Sequence, residues 1–263
     1  MAVLTIFQRT GKRALDFIHE LGLIFIFFLK GAFYSFIPPF QFRKILQQIY
    51  FIGVKSIFVI SLVGIFTGMV LGLQGYYSLV KFGSEGVLGG VVALSLIREL
   101  GPVLTAIMII GRAGSSMAAE IGIMRITEQI DALETMNVNS IRYLFSPRMI
   151  ASLICFPFLT ALFDVIGIIG GYVSGVILLG INSGTYISRM ENLVDLSDVT
   201  GGFYKAIFFG LLVVTICCYQ GYYVHKRGKV FGARGVSFAT TSAVVLSCVC
   251  VLVGDYVLTS FLL

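Results

Sequence analysis

Five ionisable residues lie inside long apolar stretches of this 263-residue chain: Lys55, Arg98, Glu99, Asp164 and Asp255. A charge at the centre of a bilayer costs about 2.5–3.5 kcal/mol on insertion scales, so each residue is expected to face protein or a wet cavity. There a cation and a carboxylate can form an ion pair, bind a charged ligand or take part in ion movement.

Arg98 and Glu99 are adjacent and near the centre of their stretch. Neighbours on a helix point about 100° apart, so each side chain needs its own partner. Asp164 or a lipid phosphate could pair with Arg98, and Lys55 or a backbone amide could pair with Glu99. Buried ion pairs that only fix the helix register explain the pattern equally well.

The composition indicates that these residues belong to a membrane protein. Hydrophobic residues make up 57% of the chain and charged residues 12%, which is too apolar for a soluble domain of this length. A spanning helix needs about 20 mainly apolar residues. The chain is therefore predicted to be an all-α polytopic membrane protein with five spans, at about 52–76, 86–111, 149–181, 203–224 and 236–262.

The first 50 residues differ from the rest. Their apolar part, about Phe17–Ile37, is interrupted by Lys30 and ends at Pro38–Pro39. This pattern favours a helix lying in the membrane interface over a full crossing. Residues 1–50 are predicted to be a cytoplasmic N-terminus with this helix, and residues 51–263 a five-span domain.

Basic residues give an orientation. Fourteen of the 19 Lys and Arg residues lie in residues 1–50, 112–148 and 225–235, and three lie in 77–85 and 182–205. The positive-inside rule then predicts a cytoplasmic N-terminus and a C-terminus outside. The net charge of +6 reflects these loops and does not indicate nucleic-acid binding.

Glycine and proline residues lie at specific positions within the predicted spans. Gly64, Gly68 and Gly72 share one face of the first span, which suits either packing within the subunit or a subunit interface and cavity wall. Gly101–Pro102 predicts a local break in the second span. The third span is longer than needed, so either a tilt of the helix or a break near Gly167–Gly171 is expected.

The connection between the second and third spans is predicted to carry a short amphipathic helix at about 127–136. Thr127 is the candidate N-cap, and Ile130, Leu133 and Met136 form a narrow apolar stripe. A solvated helix that covers the membrane domain and a helix that docks into a groove of a cytoplasmic partner both fit this pattern.

Several catalytic signatures are absent from the sequence. There is no G-x-x-x-x-G-K-[ST] phosphate-binding loop and no metal-binding cluster. The five cysteines lie within apolar runs, which is typical of small buried hydrophobic residues. The chain is therefore expected to be a non-catalytic subunit, and any ATP hydrolysis is expected in another polypeptide.

The blocks LIRELGPVLTA (96–106), GRAGSSMAAEIG (111–122) and TEQIDALETM (127–136), followed by IRYL and PR, are specific. They resemble the MlaE/YrbE permease family, the membrane subunit of MCE-associated phospholipid ABC transporters. The resemblance covers essentially the whole chain. Departures are Ile123, where the family often has Thr, and Asn137 and Ser140, where Gly and Pro are common.

The resemblance implies a homodimer in the bacterial inner membrane, with a cytoplasmic ATPase dimer that binds ATP and Mg²⁺ and a periplasmic ring of MCE-domain lipid-binding proteins. Some complexes add a STAS-domain protein. The N-terminal helix resembles the family's elbow helix. No cofactor or metal is expected on this chain itself.

The resemblance also assigns residues. A phospholipid cavity is expected at the dimer interface, lined by Arg98, Glu99, Gly68, Leu71, Gly72 and Tyr77. The ATPase-coupling helix is expected to use Glu128, Gln129, Ile130, Asp131, Ala132, Leu133 and Met136. Lys55, Gly64 and Asp164 are expected to serve charge balance or packing.

Two alternatives remain at this point. An ion-coupled secondary transporter would use Glu99, Asp164 and Asp255 and would work without an ATPase. A non-transporting anchor for the MCE ring would tolerate the loss of Arg98 and Glu99.

Overall fold

The computed structural model describes residues 2–35, 37, 41–226 and 232–262, and within them every regular element is a helix. Six helical segments in this described part are long and apolar enough to cross a membrane: Ile18–Ser35, Phe42–Phe82, Glu85–Ile126, Ser140–Leu178, Leu196–Tyr222 and Ala233–Leu262. The predicted all-α polytopic fold is confirmed.

Helix α1 (Ala2–Ser35) precedes the five predicted spans. Its segment Ile18–Ser35 has a mean hydropathy of 1.4, the lowest of the six, and whether it crosses the membrane or lies in the interface stays a prediction. Pro38 and Pro39, which were expected to end it, lie outside the described residues, as do Arg227 and Lys229 of the basic loop.

The first predicted span, about 52–76, corresponds to α3 (Ile57–Leu79). An amphipathic helix, α2 (Phe42–Ile52), precedes it and is joined to it by a short 3₁₀ turn at Val54–Ser56. The glycine face of α3 is buried and packs against α8 (Ser140–Tyr172).

The second span is one continuous helical rod with two wide turns. It comprises α4 (Leu88–Ser95), a π-helical turn at Leu96–Leu100, α5 (Gly101–Ile109), a second π-helical turn at Ile110–Gly114 and α6 (Ser115–Ile126). The helix itself continues beyond residue 111, where the membrane span was predicted to end, because α6 adds three more turns to the rod. The predicted break at Gly101–Pro102 takes the form of the wide turn that precedes it.

The third span also continues without a break. Helix α8 runs through Gly167–Gly171 because these glycines lie against the backbone of α3, and a third π-helical turn at Val173–Leu178 extends it. The expected break at these glycines is therefore wrong; they are sites of close helix contact.

The remaining elements complete the bundle. Helix α7 (Gln129–Thr135) links α6 to α8, α9 (Ser183–Leu193) packs on α4, and α10 (Leu196–Tyr222) and α11 (Ala233–Leu262) pack on each other. Helix α10 is the most buried of the six long segments, so it forms the centre of the molecule.

Candidate functional site: a charged cleft beside the central helix

Arg98 lies in the first wide turn and points toward the start of α10. Its Nε and one terminal nitrogen each lie 2.6 Å from Oδ1 of Asp198. Asp198 is positioned by its local sequence: it is the third residue of α10 and forms a capping box with Asp195, whose backbone N–H donates to Asp198 Oδ2 (3.1 Å). The Asp198 carboxylate therefore both caps the start of α10 and pairs with the guanidinium of Arg98.

Glu99 pairs with a different residue of the same helix. Lys205 Nζ lies 2.9 Å from Glu99 Oε2 and 3.0 Å from Asp255 Oδ1. Its three donors go to Glu99, to Thr259 Oγ1 and to the backbone carbonyl of Arg98, so Asp255 forms an ion pair without hydrogen-bond geometry. Lys205 is almost fully buried.

The bond from Lys205 to the Arg98 carbonyl explains how Pro102 is tolerated. A proline has no N–H to donate to the carbonyl four residues earlier, which is that of Arg98. Lys205 Nζ donates to this oxygen at 2.8 Å. Pro102 and Lys205 are therefore linked, because Lys205 donates the hydrogen bond that Pro102 cannot donate.

Two of the partners suggested by the sequence are wrong: Arg98 does not pair with Asp164, and Glu99 does not pair with Lys55. Both side chains pair with residues of α10 instead. The expectation of separate partners is met by Asp198 and Lys205, which are seven residues apart and therefore on one helix face.

We call these residues the charged cleft (Arg98, Glu99, Asp198, Lys205, Asp255 and Thr259). All of them except Asp255, which lies behind Lys205 as its ion-pair partner, line a cavity of about 240 Å³ together with residues at the ends of α10 and α11. The side chains of Arg98 and Glu99 remain 44% and 42% exposed. Both can therefore contact a ligand without leaving their partners.

Sequence reasoning missed Asp198, Lys205 and Thr259. Asp198 and Lys205 were counted as loop residues, although Lys205 falls inside the predicted fourth span. The sequence did contain a pattern that could have identified them. Asp198 and Lys205 are seven residues apart at the start of a span, a spacing that places both on one helix face.

Asp164 lies elsewhere, against the wide turn. A Cβ at Gly101 would collide with its Oδ1, and this oxygen has no hydrogen-bond partner among the residues described. Asp164 lines a second cavity of about 200 Å³ between α8 and α10. Gly101 is therefore required for space, since any side chain would displace the carboxyl.

The glycine face of α3 packs within the chain. A Cβ at Gly68 would collide with the backbone of Gly167, and one at Gly72 would collide with Ser174 Oγ; at Gly64 it would lie 3.1 Å from the Phe163 carbonyl. Packing within the subunit is thus the interpretation that the structure supports. Gly68 and Gly72 were assigned to a lipid cavity, but both are buried against α8 in this chain, so that assignment is corrected.

The other predicted α3 residues are more accessible. Tyr77 is 60% exposed near the end of the helix, and Leu71 is partly buried against the core. Lys55 is exposed in the turn before α3, where its Nζ lies 5.7 Å from the centre of the Tyr50 ring. Lys55 therefore has no role in the charged cleft.

The predicted cytoplasmic helix exists but is shorter. It covers Gln129–Thr135 as α7, between two residues with left-handed backbone, Glu128 (φ 58°) and Asn137 (φ 60°). Thr127 is not its N-cap, because its hydroxyl donates to the Ile123 carbonyl (2.9 Å) at the end of α6. Asn137 tolerates the left-handed conformation that a glycine would adopt at this helix exit.

Helix α7 is held on the membrane domain by three contacts. Ile130 is fully buried, Asp131 pairs with Arg125 (2.8 Å), and Glu134 accepts hydrogen bonds from Ser140 and Tyr222 (both 2.9 Å). The predicted apolar stripe is wrong at Met136, which lies beyond the helix end and is 72% exposed. Leu133 is partly buried.

An outward face of α7 remains accessible. The exposed residues there include Glu128, Gln129, Ala132 and Met136. Ile130 and Asp131 were expected to take part in partner docking, but Ile130 is fully buried and Asp131 is paired with Arg125 within the chain.

The fold and these sites define a multi-pass helical membrane protein with a partly open, ion-paired cleft beside its central helix. Comparison with known proteins narrows this class. The model of the family "Permease MlaE" matches residues 45–261. The chain is 44% identical over 257 residues to a "Probable ABC transporter permease protein" of Rickettsia bellii, covering 98% of this chain and 97% of that protein.

Two further relatives extend the comparison. The "Intermembrane phospholipid transport system permease protein MlaE" of Haemophilus influenzae is 44% identical over 257 residues, covering 96% of this chain and 95% of that protein. The chloroplastic protein TRIGALACTOSYLDIACYLGLYCEROL 1 of Arabidopsis thaliana is 36% identical over 219 residues, covering 83% and 61%. The chain belongs to the MlaE permease family and is a permease subunit of an ABC transporter.

Proposed function

We propose that this permease moves phospholipid between the inner membrane and a periplasmic MCE-domain lipid-binding partner. ATP would be hydrolysed, with Mg²⁺, on a separate cytoplasmic ATPase dimer, and the permease would work as a homodimer with its N-terminus in the cytoplasm and its C-terminus in the periplasm. The carrying observation is the charged cleft, whose cation Arg98 is paired yet 44% exposed.

The chemistry of the cleft suits a phospholipid headgroup. A guanidinium presents five donors in a planar fork, and two of its nitrogens already contact Asp198, so the remaining donors can hold phosphate oxygens. Glu99 and Lys205 beside it keep the surroundings polar. The apolar helix faces around the cleft suit acyl chains.

Helix α7 is proposed to be the element that contacts the ATPase. Its anchoring through Ile130 and Glu134 would transmit force to α8 and α10, because Ser140 and Tyr222 belong to those helices. The exposed residues Glu128, Gln129, Ala132 and Met136 would form the contact. A STAS-domain protein on the ATPase side is an additional proposed partner.

The test is reconstitution of the permease with its ATPase and an MCE-domain protein, followed by transfer of labelled phospholipid. Arg98→Met is expected to lower ATP-dependent transfer at least about tenfold, the equivalent of one lost charge-assisted contact. Arg189→Met removes an exposed arginine of α9 and is the matched control. Full transfer by Arg98→Met together with Glu99→Gln would instead support the anchor alternative.

Two further arms use the same reconstitution. Met136→Glu is expected to weaken ATPase assembly, whereas Leu196→Glu, at an 80% exposed position of α10, is not. Transfer that persists without the ATPase and follows an ion gradient would contradict the proposal in favour of a secondary transporter.

A further inference from the structure

The cavity beside Asp164 carries a second set of polar groups, separate from the charged cleft. It has a volume of about 200 Å³ and lies between α8 and the start of α10. Thr160 and Asp164 are one helical turn apart on α8, and both line this cavity. Its volume fits part of a lipid headgroup or a short chain segment, and a whole phospholipid is too large for it.

Both polar side chains are unpartnered. Thr160 is 3% exposed, and neither its Oγ1 nor Oδ1 of Asp164 has a hydrogen-bond partner among the residues described. A buried polar group without a partner is unfavourable, and a buried carboxylate is more so. Two such groups side by side in one cavity indicate a missing donor.

The two cations of the charged cleft are already committed to other carboxylates. Arg98 is paired with Asp198, and Lys205 with Glu99 and Asp255. The compensating donor is therefore expected to come from a ligand. An ammonium group fits best, since it carries a positive charge for the carboxylate and up to three N–H donors for the two oxygens.

The rest of the ligand should be apolar. The cavity walls include Val165, Ile168 and Phe203, and Val165 and Phe203 are 57% and 39% exposed at the surface. These positions lie on helical segments that are long and apolar enough to cross a membrane. A ligand that enters here meets hydrocarbon side chains everywhere except at Thr160 and Asp164.

From these observations we propose that Asp164 and Thr160 bind the primary ammonium of an aminophospholipid headgroup. This inference rests on the proposed function, because it names the lipid class that the permease prefers. Asp164 would accept one or two N–H bonds as a carboxylate, and Thr160 Oγ1 would accept another.

The test is equilibrium binding to the full-length chain in detergent, followed by native mass spectrometry. The probes are dioctanoyl phosphatidylethanolamine, the matching phosphatidylglycerol and phosphatidylcholine, and free ethanolamine. The wild-type chain is expected to prefer phosphatidylethanolamine over the other two lipids, because phosphatidylglycerol has no ammonium and the ammonium of phosphatidylcholine has no N–H.

Asp164→Asn is expected to lower phosphatidylethanolamine binding roughly tenfold and to leave phosphatidylglycerol binding unchanged. Thr160→Val should cause a smaller loss, roughly two- to threefold. Glu191→Gln, an exposed carboxylate on α9, is the matched control. Because phosphatidylglycerol binding reports a folded chain, a misfolded variant cannot imitate the expected result.

Equal binding of the three lipids by the wild-type chain would overturn the inference. So would unchanged binding by Asp164→Asn, which would mean that Asp164 is protonated and structural, or binding of free ethanolamine as tight as that of the lipid. These outcomes involve no ATPase, so they are distinguishable from a failure of ATP-dependent transfer.

Discussion

The charged cleft and the network under α7 use the same residue types in opposite ways. In the cleft, Lys205 is almost fully buried and its three donors all go to protein acceptors. Under α7, the Arg125–Asp131 pair is exposed on one side, with the Asp131 side chain at 51%. Breaking a buried ion pair costs a large free energy, so such a pair fixes the relative positions of its helices. An exposed ion pair contributes little free energy, so it can break and form again easily.

This contrast suggests different tasks. The cleft joins the second, fourth and fifth predicted spans through side chains that cannot lose a partner without leaving an uncompensated charge. Helix α7 is tied down by one buried isoleucine and by contacts that are partly solvated. Under the proposed function, the cleft would hold a ligand in a fixed geometry, and α7 would adjust its position during a transport cycle.

The largest effect should come from removing the central cation. Lys205→Met leaves Glu99 and Asp255 without their shared partner. Breaking a fully buried pair costs about 3–5 kcal/mol, and the loss here should lie at or below the lower end of that range, because water reaches the Glu99 side chain, which is 42% exposed. The measurement is the thermal unfolding midpoint in detergent, reported by a thiol-reactive dye, because Cys155, Cys217 and Cys218 are buried in the folded chain. Lys81→Met, at an exposed lysine, is the control.

A double variant sharpens this result. Lys205→Met combined with Glu99→Gln should recover part of the lost stability, because one orphan carboxylate is removed with the cation. A double variant no more stable than the single one would contradict the account of Lys205 as a charge-balancing residue.

An intermediate effect is expected between the two regions, at the contact of α10 with α7. Tyr222→Phe removes the hydroxyl that bonds Glu134 and lies 2.9 Å from Ser140, and a lost hydrogen bond of this kind costs about 1 kcal/mol. The same unfolding measurement applies, with Tyr256→Phe at a 78% exposed position as control. A loss of stability as large as that of Lys205→Met would show that the network under α7 is as costly to break as the charged cleft, which would contradict the contrast between them.

The smallest effect should come from the exposed pair. Asp131→Asn is expected to change stability by at most about 1 kcal/mol, and the difference should shrink at high salt because exposed charges are screened. Unfolding midpoints at low and high salt test this. A large, salt-independent loss would show that the pair behaves as a buried one.

The fold was largely predictable because it follows from long apolar runs, which determine where a helix can cross a membrane. The partners of Arg98 and Glu99 were not predictable. Gly101–Pro102 predicts a local break, but not that it takes the form of a wide turn at Leu96–Leu100, nor which helix the two side chains then contact. Lys205 was missed because a charged residue near the end of a predicted span is interpreted as a loop residue. In the structure α10 already begins at Leu196, so Lys205 lies inside the helix.

Helix α7 shows the same limit on a smaller scale. Its position was predicted from Ile130 and the flanking charges, but its bounds depend on the left-handed residues Glu128 and Asn137. A non-glycine residue adopts that conformation only when its surroundings favour it. Tertiary contacts, which a single sequence does not reveal, therefore decided both helix ends.

The wide turns also affect how the second span can change by insertion and deletion. Each π-helical turn holds one residue more than an α-helical turn, and a single residue corresponds to about 100° of helix rotation. If one residue is deleted from Leu96–Leu100, the wide turn can become regular α-helix. The side chains in the rest of the second span then keep their orientation toward the neighbouring helices. The same deletion in α5 would rotate Arg112 away from Ser56, to whose Oγ its Nε donates (2.9 Å), and would turn α6 away from α10 and α11. Length changes in this span should therefore be tolerated at the wide turns and disruptive between them.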